Sequence, residues 1–174
     1  MVDRPQIRAW RPALAGIDEV FHARIIDHVY PMHTHETWTL LIVDDGMVRW
    51  LRDHLLKWVE DRSGVRDAGI AHRLRELLDE RFVEGVALRH ASETLHVHPA
   101  HLVRVFSREF GMGPHQYLTG RRVDLARRLL LGGMAPRLVA AAAGFYDQSH
   151  FSRHFKRMLG VSPGLYARSG GGPR

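Results

Sequence analysis

Apolar residues along this chain change period, and the changes divide it into a strand-like front and a helical remainder. Residues 1–16 show no period, mixing Pro5, Pro12 and Gly16 with scattered arginines, and read as an irregular lead-in. From Ile17 to Trp50 the pattern turns to β-branched and aromatic runs, VFHARI at 20–25 and TWTLLIV at 37–43, with a turn at Asp44-Asp45-Gly46 before MVRW. Leu51 to Arg62 then places Leu51, Leu55, Trp58 and Val59 on one helical face, a stripe that must cover either its own strands or a second copy of the chain. Ser63-Gly64 marks a linker, taken as 63–69.

Beyond it the period is helical almost throughout. Ile70 to Phe82 carries Ile70, Leu74, Leu77, Leu78 and Phe82 at core spacing, and Leu88 to Leu95 is a short second helix. Pro99, suited to the first helical position, opens a helix to Phe110 that Gly111 and Gly113 stop. Pro114 starts a long helix to Leu131, ended by Gly132-Gly133. Arg137 to Ala143 is short, Gly144-Phe145 turns, Asp147 caps a helix to Leu159, and Pro163 begins a last one near Tyr166. The expected layout is a β-rich segment plus amphipathic helix at 1–62, a helical domain at 70–168, and a disordered tail at 169–174.

Within the helical domain a single stretch is written twice. Shifted by 49 positions, HLVRVFSREFGMGPHQY (101–117) falls on HFSRHFKRMLGVSPGLY (150–166), with His101/His150, Arg104/Arg153, Phe106/Phe155, Arg108/Arg157, Gly111/Gly160, Pro114/Pro163 and Tyr117/Tyr166 identical. On a helical wheel Leu102, Val105, Phe106 and Phe110 face one way while Ala100, His101, Arg104, Ser107 and Arg108 face the other. The second copy divides alike, with Phe151, Phe155, Met158 and Leu159 inward and Ser149, His150, Arg153, Lys156 and Arg157 outward. A short helix and a tight turn precede each copy, the sequence shape of a helix-turn-helix.

In that motif the second helix enters the major groove, where an arginine one turn in can hydrogen-bond guanine with two donors. Arg104 and Arg153 occupy that place. Between the copies, the helix 114–131 is roughly 27 Å long at 1.5 Å per residue. Its broad apolar face (Leu118, Val123, Leu125, Ala126, Leu129 and Leu130, with Arg122 among them) can pack on two subdomains at once. Held that way, recognition helices at about 99–110 and 147–159 could sit about 34 Å apart and enter successive grooves from one side.

Charge is divided in the same way. Residues 98–168 hold eleven Lys or Arg against three Asp or Glu, a charge of +8, whereas residues 1–97 hold thirteen against sixteen, or −3. The basic surface belongs to the repeated half and suits a polyanion. The absence of cysteine excludes disulfides and thiolate metal sites. No stretch reads as a signal peptide or an uncharged apolar span, so a cytoplasmic protein without a membrane segment is expected.

The segment AAAAGFYDQSHFSRHFKRMLGVSPGLYAR (140–168) resembles the signature of the AraC/XylS family of bacterial transcription regulators. HPAHLVRVFSREFGMGPHQYLTGRRVDLARRLLL (98–131) resembles that family's first recognition helix and linker helix. The resemblance implies a mainly α fold of two helix-turn-helix subdomains joined by the linker helix. It implies a non-enzymatic transcription activator, nucleoid-associated in a bacterial cytoplasm, with double-stranded DNA and RNA polymerase as partners and no cofactor. Base-reading positions would be Ala100, Val103 and Arg104 in the first motif and Gln148, Ser149, Ser152 and Arg153 in the second. Phe145, Phe155 and Pro163 would be structural. Phosphate contacts are expected from Arg108, Arg121, Lys156 and Arg157.

The front half resembles the start of the family's cupin-like β-barrel sensor. Only residues 17–50 read as strand, too few to close a barrel of about eight strands, so a small-molecule effector does not carry over with the resemblance. His33 and His35 would face one side of a strand, as cupin metal ligands do, but Thr39 and Leu40 stand where a glutamate would follow. His90, His96, His98 and His101 cluster in sequence on a helix, a turn and a groove-facing helix, a poor arrangement for tetrahedral closure. No metal is expected. Two other readings stay open: a small-molecule or metal-binding cupin-type protein, and a helical interaction module or homodimer acting through Leu51, Leu55, Trp58 and Val59.

Overall fold

Proline and glycine punctuate the helices where the sequence places them. The computed structural model describes residues 6–13, 17, 19–24, 31 and 65–169. Among these residues two strands, β1 (Gln6–Trp10) and β2 (Val20–Arg24), precede seven helices: α1 (Val65–Glu80), α2 (Leu88–Leu95), α3 (Pro99–Phe110), α4 (Pro114–Leu131), α5 (Pro136–Ala142), α6 (Gln148–Leu159) and α7 (Pro163–Ser169). Pro99, Pro114, Pro136 and Pro163 each stand at the first helical position, where the missing N–H costs nothing. Gly111 and Gly160 end the matching helices α3 and α6 in the left-handed conformation, at φ 69° and 76°.

The helices form two cores around α4. Leu74 and Leu78 of α1, Ala91 and Leu95 of α2, and Leu102 and Phe106 of α3 pack with Met112, Tyr117 and Leu118. Val139 and Ala140 of α5, Phe151, Phe155, Met158 and Leu159 of α6, and Tyr166 of α7 pack with Val123, Ala126 and Leu130. The wide apolar face of α4 is thus shared, its first two turns serving one core and the remainder the other. Arg122, on the same helix, donates to the carbonyls of Phe82 at 2.6 Å and Val83 at 3.0 Å, so α4 also holds the turn after α1.

Three expectations change. Helix α1 begins at Val65, so residues 65–69 are helical where a linker was expected. Apolar spacing reveals only the buried part of a helix, and this first turn presents the partly exposed Asp67 to α3 instead. Residues 6–10, read as irregular, form β1, paired antiparallel with β2 in the register Ile7↔Ala23 and Ala9↔Phe21. Its alternation spans only five residues, with Gln6 and Arg8 exposed and Ile7 and Ala9 facing the core. The pair also does not stand apart from the helical domain: Ala9 is fully buried in the second core, and Ile7 and Phe21 pack against it.

A polar contact reinforces that attachment. Glu19 pairs with Arg127 of α4 and accepts a hydrogen bond from the Tyr166 hydroxyl of α7, with both ion-pair side chains about nine-tenths covered. Burial raises the Tyr166 phenol above its ordinary range, which keeps it a donor to that carboxylate. The first subdomain repeats the device, since the Tyr117 hydroxyl donates to Asp79 of α1 at 2.9 Å and Arg121 Nε lies 3.0 Å from the same carboxylate. The strand expected at 37–43, the turn at 44–46, the helix at 51–62 with Leu51, Leu55, Trp58 and Val59, and the His33/His35 pair lie outside the described residues.

Candidate nucleic-acid interface

The two recognition helices are capped at matching positions by different chemistry. His98 precedes α3, and its Nδ1 accepts the Ala100 N–H at 3.3 Å. Asp147 precedes α6, and its carboxylate accepts the His150 N–H at 2.6 Å. Each cap satisfies an amide that a helix start leaves open. The turns before them also differ, with three residues (96–98) between α2 and α3 and five (143–147) between α5 and α6. In the first turn His96 takes a left-handed φ of 54°, and in the second Gly144 takes +78°.

The inward and outward faces follow the helical wheel. Phe106 and Phe155 are both fully buried, while Arg104 and Arg153, two positions earlier, are exposed. Ala100, Gln148 and Ser149 are exposed, Val103 is 37% exposed, and Ser152 is half-buried. An open cleft of about 400 Å³ runs along the start of α6, lined by Tyr146, Asp147, Ser149, His150 and Arg153. Lys156 and Arg157 continue the exposed face one turn further.

Tyr146 was absent from the expected set. It is 93% exposed in the turn before α6, an aromatic ring presented to solvent beside Ser149 and Arg153, which are expected to read bases. Its sequence signal was an aromatic residue directly before a capping aspartate, where the first copy has Val97.

Two arginines expected at phosphates are otherwise engaged. Arg121 is only 11% exposed: its Nε faces Asp79, and its guanidinium lies over the Phe82 ring at 5.3 Å. Position 121 falls on the flank of α4 that α1 covers, so this arginine belongs to the packing between those helices. Arg108 remains 42% exposed but donates to Asp67 Oδ2 at 2.7 Å. That hydrogen bond, opposed by partial desolvation and aided by the Arg108 charge, holds the Asp67 carboxyl below the usual carboxylate range.

The histidines act singly. His101 faces Asp67 and Arg104, His98 caps α3, and His90 uses its carbonyl to accept from Thr94 at 3.0 Å. Among the described residues no three His, Asp or Glu side chains converge as metal ligands. On α6, His150 stacks edge-on against Phe145 and His154 at 5.7 and 4.6 Å. Burial first, then the charges of His150, Arg153, His115 and Arg157, lowers the His154 imidazole below its ordinary 6.5.

Known proteins share this arrangement. Residues 91–169 match the helix-turn-helix domain family. The chain is 26% identical over 138 residues to the HTH-type transcriptional regulator YijO of Escherichia coli, covering 79% of this chain and 48% of that protein. It is 28% identical to the probable transcriptional regulator LumQ of Photobacterium leiognathi, covering 76% and 59%. The chain therefore spans roughly half the length of these curated relatives. Among solved structures, the C-terminal domain of AraT, a response regulator from Geobacillus stearothermophilus, superposes with a TM-score of 0.55 at 32% identity, over 60% of this chain and 88% of that one.

Proposed function

Since the chain belongs to the AraC-type family of helix-turn-helix transcription regulators, we propose that it binds double-stranded DNA sequence-specifically by placing α3 and α6 in successive major grooves. One observation carries this reading: two helices bury a phenylalanine and expose an arginine at matching positions, Phe106 with Arg104 and Phe155 with Arg153, and α4 packs against both. Base reading falls to Arg104 with Ala100 and Val103 in the first motif, and to Arg153 with Gln148, Ser149 and Ser152 in the second. The second set is richer in hydrogen-bonding groups, so the two boxes of the operator differ in sequence. Lys156 and Arg157 contact phosphate, and Arg108 does so if it releases Asp67.

Such a protein works on the chromosome of a bacterial cytoplasm, with RNA polymerase as its partner and activation as its outcome. No described helix is long and apolar enough to cross a membrane. Selection of bound fragments from random DNA by the purified chain is expected to return two dissimilar boxes one helical turn apart. Arg153→Ala is then expected to cost about 1–3 kcal/mol on the selected site and to relax preference at one base pair, as loss of a bidentate contact does. Equal weakening on every sequence would assign Arg153 to phosphate, and failure to select any sequence would end the proposal.

A further inference from the structure

We propose that Asp67, on a helix outside both helix-turn-helix motifs, is the positioning residue that presets Arg104 through the ring of His101. The inference rests on Arg104 reading a base, as proposed above. Arg104 Nη2 lies 2.6 Å from His101 Nδ1. A guanidinium has donors and no acceptor, so Nδ1 must be the accepting nitrogen. The proton of the neutral ring then sits on Nε2, which faces Asp67 Oδ1 at 3.4 Å. A carboxylate on that side selects this tautomer and orients the ring, as second partners of histidine generally do. The other carboxylate oxygen accepts from Arg108 at 2.7 Å, which fixes Asp67 in turn.

The outcome is an arginine already held before DNA arrives. One of its five N–H donors goes to His101, and the others remain for a base. An arginine so restrained gives up less rotamer freedom on binding than a free one and presents its fork in one direction. The first motif has most need of such help, because Ala100 and Val103 beside Arg104 offer no hydrogen bonds.

The second copy keeps the His-x-x-Arg pair without the relay. His150 is taken up by Phe145 and His154, its Nδ1 is buried without a hydrogen-bond partner, and Arg153 has no carboxylate partner among the described residues. The identical pair is therefore preset in one motif and unrestrained in the other. That difference originates in α1, a helix the repeat does not include.

Competition binding by the full chain tests the relay, using the selected site and its single-base variants in both boxes. Arg104→Ala, Asp67→Ala and His101→Ala are each expected to flatten preference at the same first-box base pair by roughly tenfold. Second-box preferences stay as in the parent. The double variant Asp67→Ala/Arg104→Ala is no flatter than Arg104→Ala, as coupled residues require. Asp67→Asn, which retains an acceptor oxygen for the His101 Nε2–H, keeps most of the preference. His101→Ala leaves α1 unaltered, so agreement between it and Asp67→Ala separates positioning from folding.

The relay is overturned if Arg104→Ala abolishes the preference while Asp67→Ala leaves it intact. It is equally overturned if Asp67→Ala shifts affinity by one factor on all sequences, which would make Asp67 only the counter-charge of Arg108. Should Arg104→Ala itself leave the base profile unchanged, base reading by Arg104 fails, and the relay loses the residue it would position.

Discussion

His154 shows how a side chain beside the reading face is tuned by its neighbours. Burial and the surrounding positive groups lower its pKa below 6.5, so the unfolded chain binds that proton more readily than the folded one. Stability then increases with pH through the range at and below 6.5 and is lost on acidification. The melting temperature is expected to rise between about pH 5.5 and 7.5, with His154→Gln reducing the rise; an equal slope in the variant would assign the dependence to other groups. Asp67 works in a separate window. Its depressed pKa contributes stability above 3.8 that disappears as pH falls through the folded value, well below the range in which His154 titrates. Helical periodicity reveals that Arg104 and Arg153 face outward. Whether each is held or free depends on partners from α1 and from the turn before α6, which no local pattern shows.

Each recognition helix depends on its phenylalanine. Phe155 is fully buried and packs edge-on against Phe151 at 5.4 Å and Tyr166 at 5.2 Å, so it joins α6 to α7. Phe155→Ala is expected to cost about 3–5 kcal/mol, the usual loss for a buried phenylalanine, and to lower the melting temperature before any effect on DNA is measured. An unchanged melting curve would remove Phe155 from the core. At this scale most of the fold was legible. The starts at Pro99 and Pro114, the cap at Asp147 and the ends at Gly111 and Gly160 are local signals, because a missing N–H or a left-handed φ restricts the residue itself. The first turn of α1 and the whole of β1 were not legible. One precedes the first residue at core spacing, the other is five residues long, and both are defined by what they touch elsewhere.

In the whole molecule the second motif meets the turn after α1 directly as well as through α4. A Cβ on Gly144 would overlap the Val83 carbonyl oxygen, at a φ of +78° that side chains rarely adopt. Gly144→Ala must therefore separate the second motif's turn from the turn after α1. It is expected to cost at least about 1–3 kcal/mol and to reduce the advantage of two-box over one-box DNA. Comparing both fragments with one protein sample reads this out, and an undiminished two-box advantage would show that α4 alone sets the spacing. By itself the sequence determined the helices, the repeat, the inward phenylalanines and the outward arginines, since period, proline and glycine act within a few residues. Only the tertiary structure decided that Glu19 secures the two strands to Arg127 and Tyr166, that Arg121 turns inward to Asp79, and that Asp67 reaches His101. Those pairings join residues far apart in the chain, and a charged side chain carries no local sign of which opposite charge it will meet.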